Sequence, residues 1–393
     1  MKIALFNPVK TSISGGYREY LEQFLARADQ DPRVESILFL SIPSICRMFS
    51  GYKKVKTFHI GLSYNFFPNT SHVMKCLLDF SPDILYSPVE KMLPSYLSAP
   101  RIVMVQNMEP LLPQLGMNSF LLNLRHSLLS FLAKRAVRNA DHVIALSRFV
   151  EAHLIDKLGL DEVKITRIPH GADIKSDLEA RKPLQLNPED KFIFTAGTIS
   201  PARGLEDILS AFIKLKADED YRELKLYIAG GVQPNSGKYY RYLQDKTASA
   251  GLADQVEWLG FVKPAEMKWC FSNCEVFVMT SRMESFGIIA LEAMVYGARV
   301  VSSNSPCLPE IFGDYASYYS PGDVQAFTIK IREAIESKGK IESEDDSVES
   351  DPAQAIGSLL ERFNWNNSYN STIDLFLQLS NQPTQTDNRI NNV

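Results

Sequence analysis

The sequence predicts an α/β protein made of two doubly wound domains, each a parallel sheet covered by helices on both faces. Short, nearly continuous apolar runs recur along the 393 residues, and stretches with helical periodicity separate most of them. Strands that are apolar on both sides are typical of buried parallel sheets. A polar, proline-bearing segment at 176–191 divides the runs into two series. Because 393 residues exceed what one hydrophobic core usually supports, we expect two domains.

The first series predicts the sheet of an N-terminal domain at residues 1–175. Its apolar runs are, in chain order, KIALFN, SILFL, DILYSP, RIVMVQN and HVIALS. Between the first two runs, the segment YREYLEQFLARA has the spacing of an amphipathic helix. This alternation of strand and helix indicates a parallel sheet with helical connections.

The second series predicts a C-terminal domain at residues 190–365. Its runs are KFIFTAG, LKLYIAG, VEWLGFV, EVFVMTS and ARVVSSN, and LEDILSAFIKLKA is the first intervening helix. The acidic tract at 341–351 has almost no apolar residues, so we expect a solvated loop there. A further helix is expected at about 366–380, followed by a disordered polar tail at 381–393.

Composition and charge exclude several classes of protein. With 42 Lys and Arg against 46 Asp and Glu, the net charge is −4, which argues against nucleic acid as the main partner. The five cysteines have no CxxC spacing, as expected for reduced thiols in a cytoplasm. The segment MKIALFNP lacks the length and cleavage site of a signal peptide, and no uncharged apolar run reaches the roughly 18 residues needed to span a bilayer. We expect a soluble, cytoplasmic chain.

Two loops that each follow the first strand of a series could bind an anion. Gly15 and Gly16 precede a helical pattern, where backbone amides at a helix start can receive a phosphate. They do not form the GxGxxG fingerprint of dinucleotide folds, and a simple helix start explains them equally well. In the second series, Arg203 stands at the start of a helix and could add its guanidinium to such a site. A lone arginine there is usually solvated, so the matching glycine loop is what favours phosphate binding.

The segment ESFGIIALE places two carboxylates around a predicted helix start. Glu292 lies in the second turn of an otherwise apolar helix, and a buried carboxylate needs hydrogen-bond donors. Ribose hydroxyls are suitable donors, while backbone amides or a basic side chain are the alternative. Glu284 is eight residues upstream, about 12 Å away if helical, a distance that fits a ribose and a sugar beyond a diphosphate. Amides near Phe286, Gly287 and Ile288 could hold the phosphates between them.

Several longer segments of the chain resemble those of a known family. The segment SRMESFGIIALEAMVYGARVVSSNSPCLPE resembles the EX7E segment of retaining glycosyltransferases of family 4. These have the GT-B fold, two Rossmann-like domains facing each other across a cleft. AGTISPARGLEDILSAF is similar to the family's phosphate loop, and IPHGAD to its motif between domains. ADHVIALSRFV and FNW also match, so the resemblance covers most of residues 1–380.

The resemblance implies metal-independent transfer of a sugar from a nucleoside-diphosphate sugar to a carbohydrate or glycolipid acceptor, with retention of the anomeric configuration. It implies that Glu284 approaches the donor sugar, that Glu292 binds the ribose and that Arg203 binds the diphosphate. Glu284 and Arg203 are thus the predicted catalytic residues, and neither a cofactor nor a metal is expected. The predicted donor-binding residues are Gly15, Gly16, Thr198, Gly260, Phe261, Val262, Ser285, Phe286, Gly287, Ile288 and Glu292.

The same resemblance assigns the domains. The first would hold the acceptor, the second the nucleotide-sugar, and the helix near 366–380 would pack back on the first. Polysaccharide or glycolipid assembly is the implied setting.

Two positions depart from the family pattern. The family often has an arginine where Thr198 stands, so one phosphate cation is missing or supplied elsewhere. It often has His-Asp where this chain has Gln106 and Asn107. Because a glutamine amide cannot exchange protons at neutral pH, we place both residues on the acceptor and sugar side as binding groups. Any proton transfer would then run through the leaving phosphate.

Two further signals have ordinary explanations. Asp218 and Asp220 form a DxD triplet, which binds metals in other glycosyltransferases, but it lies at a helix end and we interpret it as a solvated turn. The segment 119–138 has an apolar stripe with four cations. It predicts a core-facing helix with a solvated basic face, and the alternative is peripheral contact with an anionic membrane.

Two rival functions remain open. One is another GT-B enzyme, such as a sugar-nucleotide epimerase, which acts on the donor without an acceptor. The other is a non-catalytic partner protein that keeps the fold, which the substitutions at Thr198 and Gln106 would suit.

Overall fold

The computed structural model describes residues 1–8, 13–61, 70–92, 97–112, 120–175, 177–233, 236–341 and 352–381. It divides the chain into two compact units. Unit 1 is Met1–His170 with Trp365–Val393, and unit 2 is Gly171–Asn364. Apart from Ile341 and Asn381, the acidic tract and the tail predicted to be disordered lie outside the described residues.

Unit 1 is built on a sheet of seven strands, all paired in parallel. Numbered along the chain, the strands are β1 (Lys2–Phe6), β2 (Ser36–Ser41), β3 (Val55–His59), β4 (Ile84–Ser87), β5 (Arg101–Met104), β6 (His142–Ala145) and β7 (Ile165–Arg167). Their order in the sheet is β3-β2-β1-β4-β5-β6-β7. The chain therefore winds outward from β1 in one direction and then in the other, which makes β1/β4 the switch point of the sheet.

Within the described residues, unit 1 has six α-helices. They are α1 (Gly15–Gln30), α2 (Pro43–Met48), α3 (Thr70–Phe80), α4 (Phe120–Arg138), α5 (Arg148–Asp156) and, from the end of the chain, α13 (Trp365–Ser380). The helix α1 buries Tyr17, Tyr20, Leu21, Phe24 and Leu25. These positions recur at helical spacing and pack on a sheet whose central strands are buried on both faces.

Unit 2 contains a second parallel sheet of six strands. The strands are β8 (Phe192–Ala196), β9 (Lys225–Ala229), β10 (Val256–Gly260), β11 (Val276–Met279), β12 (Val300–Ser303) and β13 (Ala316–Tyr319). Their order is β10-β9-β8-β11-β12-β13. Here the switch point lies between β8 and β11, and ligands of such sheets bind at the carboxyl ends of the strands beside it.

Seven α-helices lie in the part of unit 2 that the structure describes. They are α6 (Leu205–Leu215), α7 (Gly237–Ser249), α8 (Pro264–Asn273), α9 (Ile288–Val295), α10 (Leu308–Phe312), α11 (Val324–Ile341) and α12 (Pro352–Arg362). Two doubly wound α/β units confirm the predicted fold class. The structure places the division after His170 and before Trp365, so the last helix belongs with the first half of the chain.

One expectation about packing was wrong. The apolar stripe of α4 was expected to face the core, but Leu124, Leu128, Phe131 and Leu132 are exposed. The helix instead buries small residues, Ser130 and Ala133 among them. Small side chains permit a close approach of the helix and leave the larger ones outside.

Candidate functional site

Arg203 lies at the switch point of the unit 2 sheet. It ends a short 3₁₀ turn, Pro201–Arg203, between β8 and α6. Its carbonyl oxygen accepts a hydrogen bond from Thr280 Oγ1 at 2.6 Å, and the Arg282 amide donates to the Ala202 carbonyl at 2.8 Å. The loop after β8 is therefore tied to the loop after β11, and the guanidinium of Arg203 is held where ligands of such sheets bind.

The structure brings the two predicted catalytic residues together. Arg203 Nη1 lies 2.5 Å from Glu284 Oε1 and donates a second hydrogen bond to Ser281 Oγ at 3.0 Å. Both charged side chains are partly shielded from solvent, 27% and 17% exposed. Shielding strengthens such a pair relative to one on the open surface.

A group of buried hydroxyls and one thiol supports this pair from behind. Ser303 Oγ and Ser305 Oγ each donate to the Ser281 carbonyl at 2.6 Å. Cys307 Sγ donates to the Glu284 carbonyl at 3.2 Å. Burial and then the Glu284 carboxylate raise the pKa of the Cys307 thiol well above its ordinary value, so this thiol stays protonated and able to donate.

Gly287 ends the loop that carries Glu284 and Ser285, and α9 starts at the next residue. Its backbone is left-handed, with φ at 89°, a region that favours glycine. A Cβ there would stand 2.7 Å from Leu308 Cδ2 and 2.9 Å from Phe312 Cζ. With Phe286 fully buried below it, the start of α9 is fixed in place, and its first amides lie where the predicted phosphate contacts were expected.

Glu292 differs from the expectation of a buried carboxylate. It lies in the second turn of α9, as predicted, but its side chain is half-buried, as are Ile288 and Ile289. The spacing of three and four residues puts all three on one face of the helix. The opposite face carries Ala290, Leu291, Ala293, Met294 and Val295, which are buried. The carboxylate is therefore reachable rather than sealed in the core.

Three loop ends approach closely at the carboxyl edge of β8, β9 and β10. A Cβ on Gly230 would lie only 1.8 Å from the Gly197 carbonyl oxygen, and the Gly230 amide donates to the Gly260 carbonyl at 2.7 Å. Of the predicted base contacts, Phe261 is 75% exposed and Val262 is buried. Thr198 follows Gly197 and is half-buried.

Sequence reasoning missed an ionic cluster beside this site. Arg282 Nη2 donates to Asp207 Oδ1 at 2.7 Å and to Glu206 Oε1 at 3.1 Å. The second oxygen of Asp207, which is buried, accepts from Tyr319 Oη at 3.1 Å and from the Gly322 amide at 3.0 Å. This cluster anchors the first turn of α6, next to Arg203. Its acids are recognisable as LED in the sequence, but their partners come from distant segments.

In unit 1, Gly15 and Gly16 form the first turn of α1. Ser14 caps the helix by accepting from the Tyr17 amide at 3.4 Å. Tyr17 Oη donates to Asn7 Oδ1 at 3.1 Å, which ties the helix start to the end of β1. The glycines therefore lie at the switch point of this sheet, where the anion-binding expectation placed them.

Gln106 and Asn107 follow β5 in unit 1. His170 Nε2 donates to Gln106 Oε1 at 3.1 Å. Burial lowers the pKa of His170 to about 3, so the ring is neutral at physiological pH. Its ring packs against those of Tyr20 and Trp365, with centroids 5.0 and 5.5 Å away, and these two rings also contact each other at 6.3 Å. His170 therefore has a structural role, and it orients the Gln106 amide.

Glu90 is a second residue that the sequence did not reveal. It follows β4, is 5% exposed, and its Oε1 accepts from the Asn107 amide at 2.6 Å. Burial raises its pKa to about 7, against the opposing effect of hydrogen bonds from backbone amides. The only signal was an acid closely following an apolar strand. The Glu90 carboxyl group fixes the loop that carries Gln106 and Asn107.

The predicted DxD triplet is a turn, as interpreted. Asp218 Oδ1 accepts from the Asp220 amide at 3.2 Å, and Asp218 Oδ2 lies 2.9 Å from Arg332 Nη1. Among the residues that the structure describes, no three His, Cys, Asp or Glu side chains come together as metal ligands would. None of the described helices is long and apolar enough to span a membrane.

Comparison with known proteins agrees with this geometry. Residues 176–349 match the family described as glycosyl transferases group 1, and residues 25–176 match glycosyltransferase family 4. An uncharacterized glycosyltransferase of Bacillus subtilis, YqgM, is 30% identical over 200 residues, which is 51% of each chain. The alpha-monoglucosyldiacylglycerol synthase of Streptococcus pneumoniae is 26% identical over 216 residues, 51% of this chain and 46% of that protein. The chain thus matches about half the length of these relatives.

The fold extends the likeness to the whole chain. The structure of Anabaena HepE in complex with UDP-glucose superposes with a TM-score of 0.72 at 18% identity, over 96% of this chain and 99% of that one. At this identity the likeness shows the fold alone. With the two family matches side by side along the chain and both sheets in place, the chain has the GT-B fold and contains a glycosyltransferase family 4 domain at residues 25–176 and a glycosyl transferases group 1 domain at residues 176–349.

Proposed function

We propose that the protein is a retaining, metal-independent glycosyltransferase that moves a sugar from a nucleoside-diphosphate sugar to a carbohydrate or glycolipid acceptor. The observation that carries the proposal is the pairing of Arg203 with Glu284 at the switch point of the unit 2 sheet. Arg203 supplies a cation for the diphosphate, and Glu284 supplies a carboxylate for the hydroxyls of the sugar. The two side chains are adjacent, as they must be if the sugar is transferred from that diphosphate.

The diphosphate would bind at Arg203 and at the amides that open α6 and α9. Charge that develops on the departing diphosphate is stabilised by the guanidinium and by the positive ends of both helix dipoles. These groups supply the electrostatic stabilisation for which other glycosyltransferases use a metal ion. Arg282 is less suited to this role, because its guanidinium is neutralised by two carboxylates, Asp207 and Glu206, whereas Arg203 is paired with one.

The rest of the donor extends to both sides of the diphosphate. Glu284 would accept hydrogen bonds from the transferable sugar, and the half-buried Glu292 would accept them from the ribose. The exposed ring of Phe261 offers an apolar surface to the base. Anabaena HepE was solved with UDP-glucose, which supports a nucleoside-diphosphate hexose as the donor class here.

The acceptor side is assigned to unit 1. Gln106 and Asn107 would bind hydroxyls of the acceptor or of the sugar, in the loop that Glu90 and His170 hold. The amide of Gln106 cannot act as a base, so the proton of the acceptor hydroxyl passes to the leaving phosphate. The matched relative from Streptococcus pneumoniae is named for a glycolipid product, which supports a lipid-linked acceptor as one class. We infer a cytoplasmic location, at the inner membrane face when the acceptor is lipid-linked.

The proposal is tested with Glu284→Gln and Arg203→Ala. A thermal-shift panel of UDP-, GDP-, ADP- and dTDP-sugars first finds the donor, since a bound ligand stabilises the native state. Each variant is then expected to lower donor turnover by about 10²–10³-fold, the usual cost of removing one preorganised electrostatic contact. Glu223→Gln and Arg222→Ala, on the exposed surface of the same unit, serve as matched controls.

Three outcomes count against the proposal. Unchanged turnover in both variants would remove the site assignment. Conversion of the donor without any acceptor, seen by NMR of the products, would identify an epimerase-like enzyme. Donor binding without turnover under any acceptor would indicate a non-catalytic partner.

A further inference from the structure

The helix α4 of unit 1 presents an apolar stripe to solvent. Leu124, Leu128, Phe131 and Leu132 are 59, 50, 59 and 43% exposed. At about 100° per residue, these four side chains fall within an arc of about 100° on one side of the helix. Contiguous exposed apolar surface of this kind marks an interaction site rather than ordinary surface variation.

The other side of α4 is already used for packing. Ser130, Ala133 and Val137 are buried, and Ala136 is half-buried. They face the opposite direction from the stripe, so the helix is anchored to unit 1 without it. The stripe is therefore not the packing face of this helix.

The charge on α4 selects the kind of partner. The segment 119–138 carries four cations and no Asp or Glu. By helical position Arg125 borders the stripe and Arg135 lies within it toward the helix end, and both are exposed. Arg138 borders the stripe on its other side, where its Nε donates to the Leu158 carbonyl at 3.2 Å. An apolar stripe bordered by long cationic side chains is the pattern of a helix that lies in the plane of an anionic bilayer.

We infer that α4 docks unit 1 on an anionic lipid surface, with the stripe inserted and the arginines reaching the headgroups. Long cationic side chains can keep their charge at the headgroups while their stems cover apolar surface. A second copy of the chain fits less well, because two-fold pairing of this face would set the cations of one helix against those of the other. The inference deepens the proposed location at the membrane face and rests on the proposed function for its role.

The test is flotation of the whole protein with vesicles of phosphatidylcholine, either alone or mixed with phosphatidylglycerol. Wild type is expected to float with the mixed vesicles only. Leu128→Ser with Phe131→Ser should weaken partitioning at least tenfold. Arg125→Gln with Arg135→Gln should weaken it about 30-fold, which converts to about 2 kcal/mol for two headgroup cations. Leu78→Ser and Leu184→Ser are matched controls, since both leucines are exposed outside α4, and they should float like wild type.

Several results would overturn the inference. Wild type that stays in solution with both kinds of vesicle, or α4 variants that float like wild type, would do so. Self-association that the Leu128→Ser/Phe131→Ser pair abolishes, without flotation of wild type, would assign the face to a second copy. Because the altered side chains are exposed, circular dichroism should show unchanged folding. Turnover of a soluble acceptor should persist in these variants, whereas Glu284→Gln should lose turnover and still float, so the two proposals fail separately.

Discussion

Glu90 shows how one buried carboxyl group can make unit 1 sensitive to pH. Burial raises its pKa from the ordinary value of 4.5 to about 7, so the folded protein holds this proton over a range where the unfolded chain has lost it. A group with a raised acidic pKa therefore costs stability as pH rises from about 4.5 to about 7. This rise in pKa corresponds to a loss of about 3 kcal/mol in the free energy of unfolding above that range.

We predict that Glu90→Gln removes this pH dependence. Glutamine keeps an oxygen for the Asn107 amide and cannot ionise. Near pH 5 the variant and wild type should unfold at similar temperatures, and by pH 8 the variant should be the more stable of the two. Thermal unfolding at a series of pH values measures the difference. Glu162→Gln, at an exposed position of the same unit, is the control and should show no such trend. If the unfolding temperatures of Glu90→Gln and wild type change with pH in parallel, the assignment to Glu90 is wrong.

The pairing of Arg203 with Glu284 could be predicted only in part. Each residue was found from its local pattern. Arg203 is a cation at the start of one predicted helix, and Glu284 is an acid just before the start of another. Their contact joins residues 81 positions apart. It depends on β8 and β11 being neighbours in the sheet, which no local pattern reports. For Glu292 the local pattern was misleading, because the apolar neighbours that suggested burial lie mostly on the other face of α9.

At the level of elements, the close approach of loop ends decides where glycine is required. The loops after β8 and β9 meet so closely that a Cβ on Gly230 would enter the Gly197 carbonyl. Because the obstacle is backbone rather than a flexible side chain, the loop after β8 would have to move, and with it the start of α6 and Arg203.

We predict that Gly230→Ala destabilises unit 2 by about 3 kcal/mol or more, from overpacking together with a strained backbone at φ 134°. It should also weaken donor binding, because the phosphate loop shifts. Gly231→Ala is the matched control. A Cβ on Gly231 meets nothing within 4 Å, so its effect on the free energy of unfolding should stay within about 1 kcal/mol. Chemical denaturation measures the free energy of unfolding of both variants. Equal losses in the two would refute the steric argument.

The elements differ in how far their sequence predicted them. The apolar runs of both series form strands, but β3, β7 and β13 were not among the predicted runs. The helix α9 begins at Ile288, within the segment ESFGIIALE where a helix start was predicted. The exposed stripe of α4 was only the alternative interpretation of its sequence, since an apolar stripe at helical spacing usually faces a core. The orientation of α4 is the reverse of the expected one because small residues on its other face pack against unit 1 more closely than leucines could.

At the scale of the whole molecule, the end of the chain completes the first unit. In α13, Phe376 is fully buried and packs on Tyr86 with ring centroids 4.9 Å apart. Tyr369 Oη donates to Asp31 Oδ2 at 2.9 Å, and Arg33 Nη1 lies 2.9 Å from Asp374 Oδ1. Unit 1 is therefore finished only after unit 2 has been synthesised.

We predict that Phe376→Ala destabilises unit 1 by about 3–5 kcal/mol, the usual cost of removing a buried aromatic ring. Denaturant unfolding followed by tryptophan fluorescence measures the loss, because Trp365 lies in the same helix. Gln378→Ala, on the exposed side of α13, should leave the midpoint unchanged. A similar small effect in both variants would mean that α13 contributes little to unit 1.

Consecutive residues alone were enough to predict two doubly wound sheets, the glycine loops, the two glutamates eight positions apart and a helix at the chain end. Periodicity and turn chemistry are properties of neighbouring residues, so they can be read without the fold. The ion pair of Arg203 with Glu284, the buried Glu90 beneath Asn107, the contact of Gly230 with Gly197 and the outward face of α4 depend on segments far apart in the chain. Such segments meet only once the strands have paired, so strand order and helix packing determined those features.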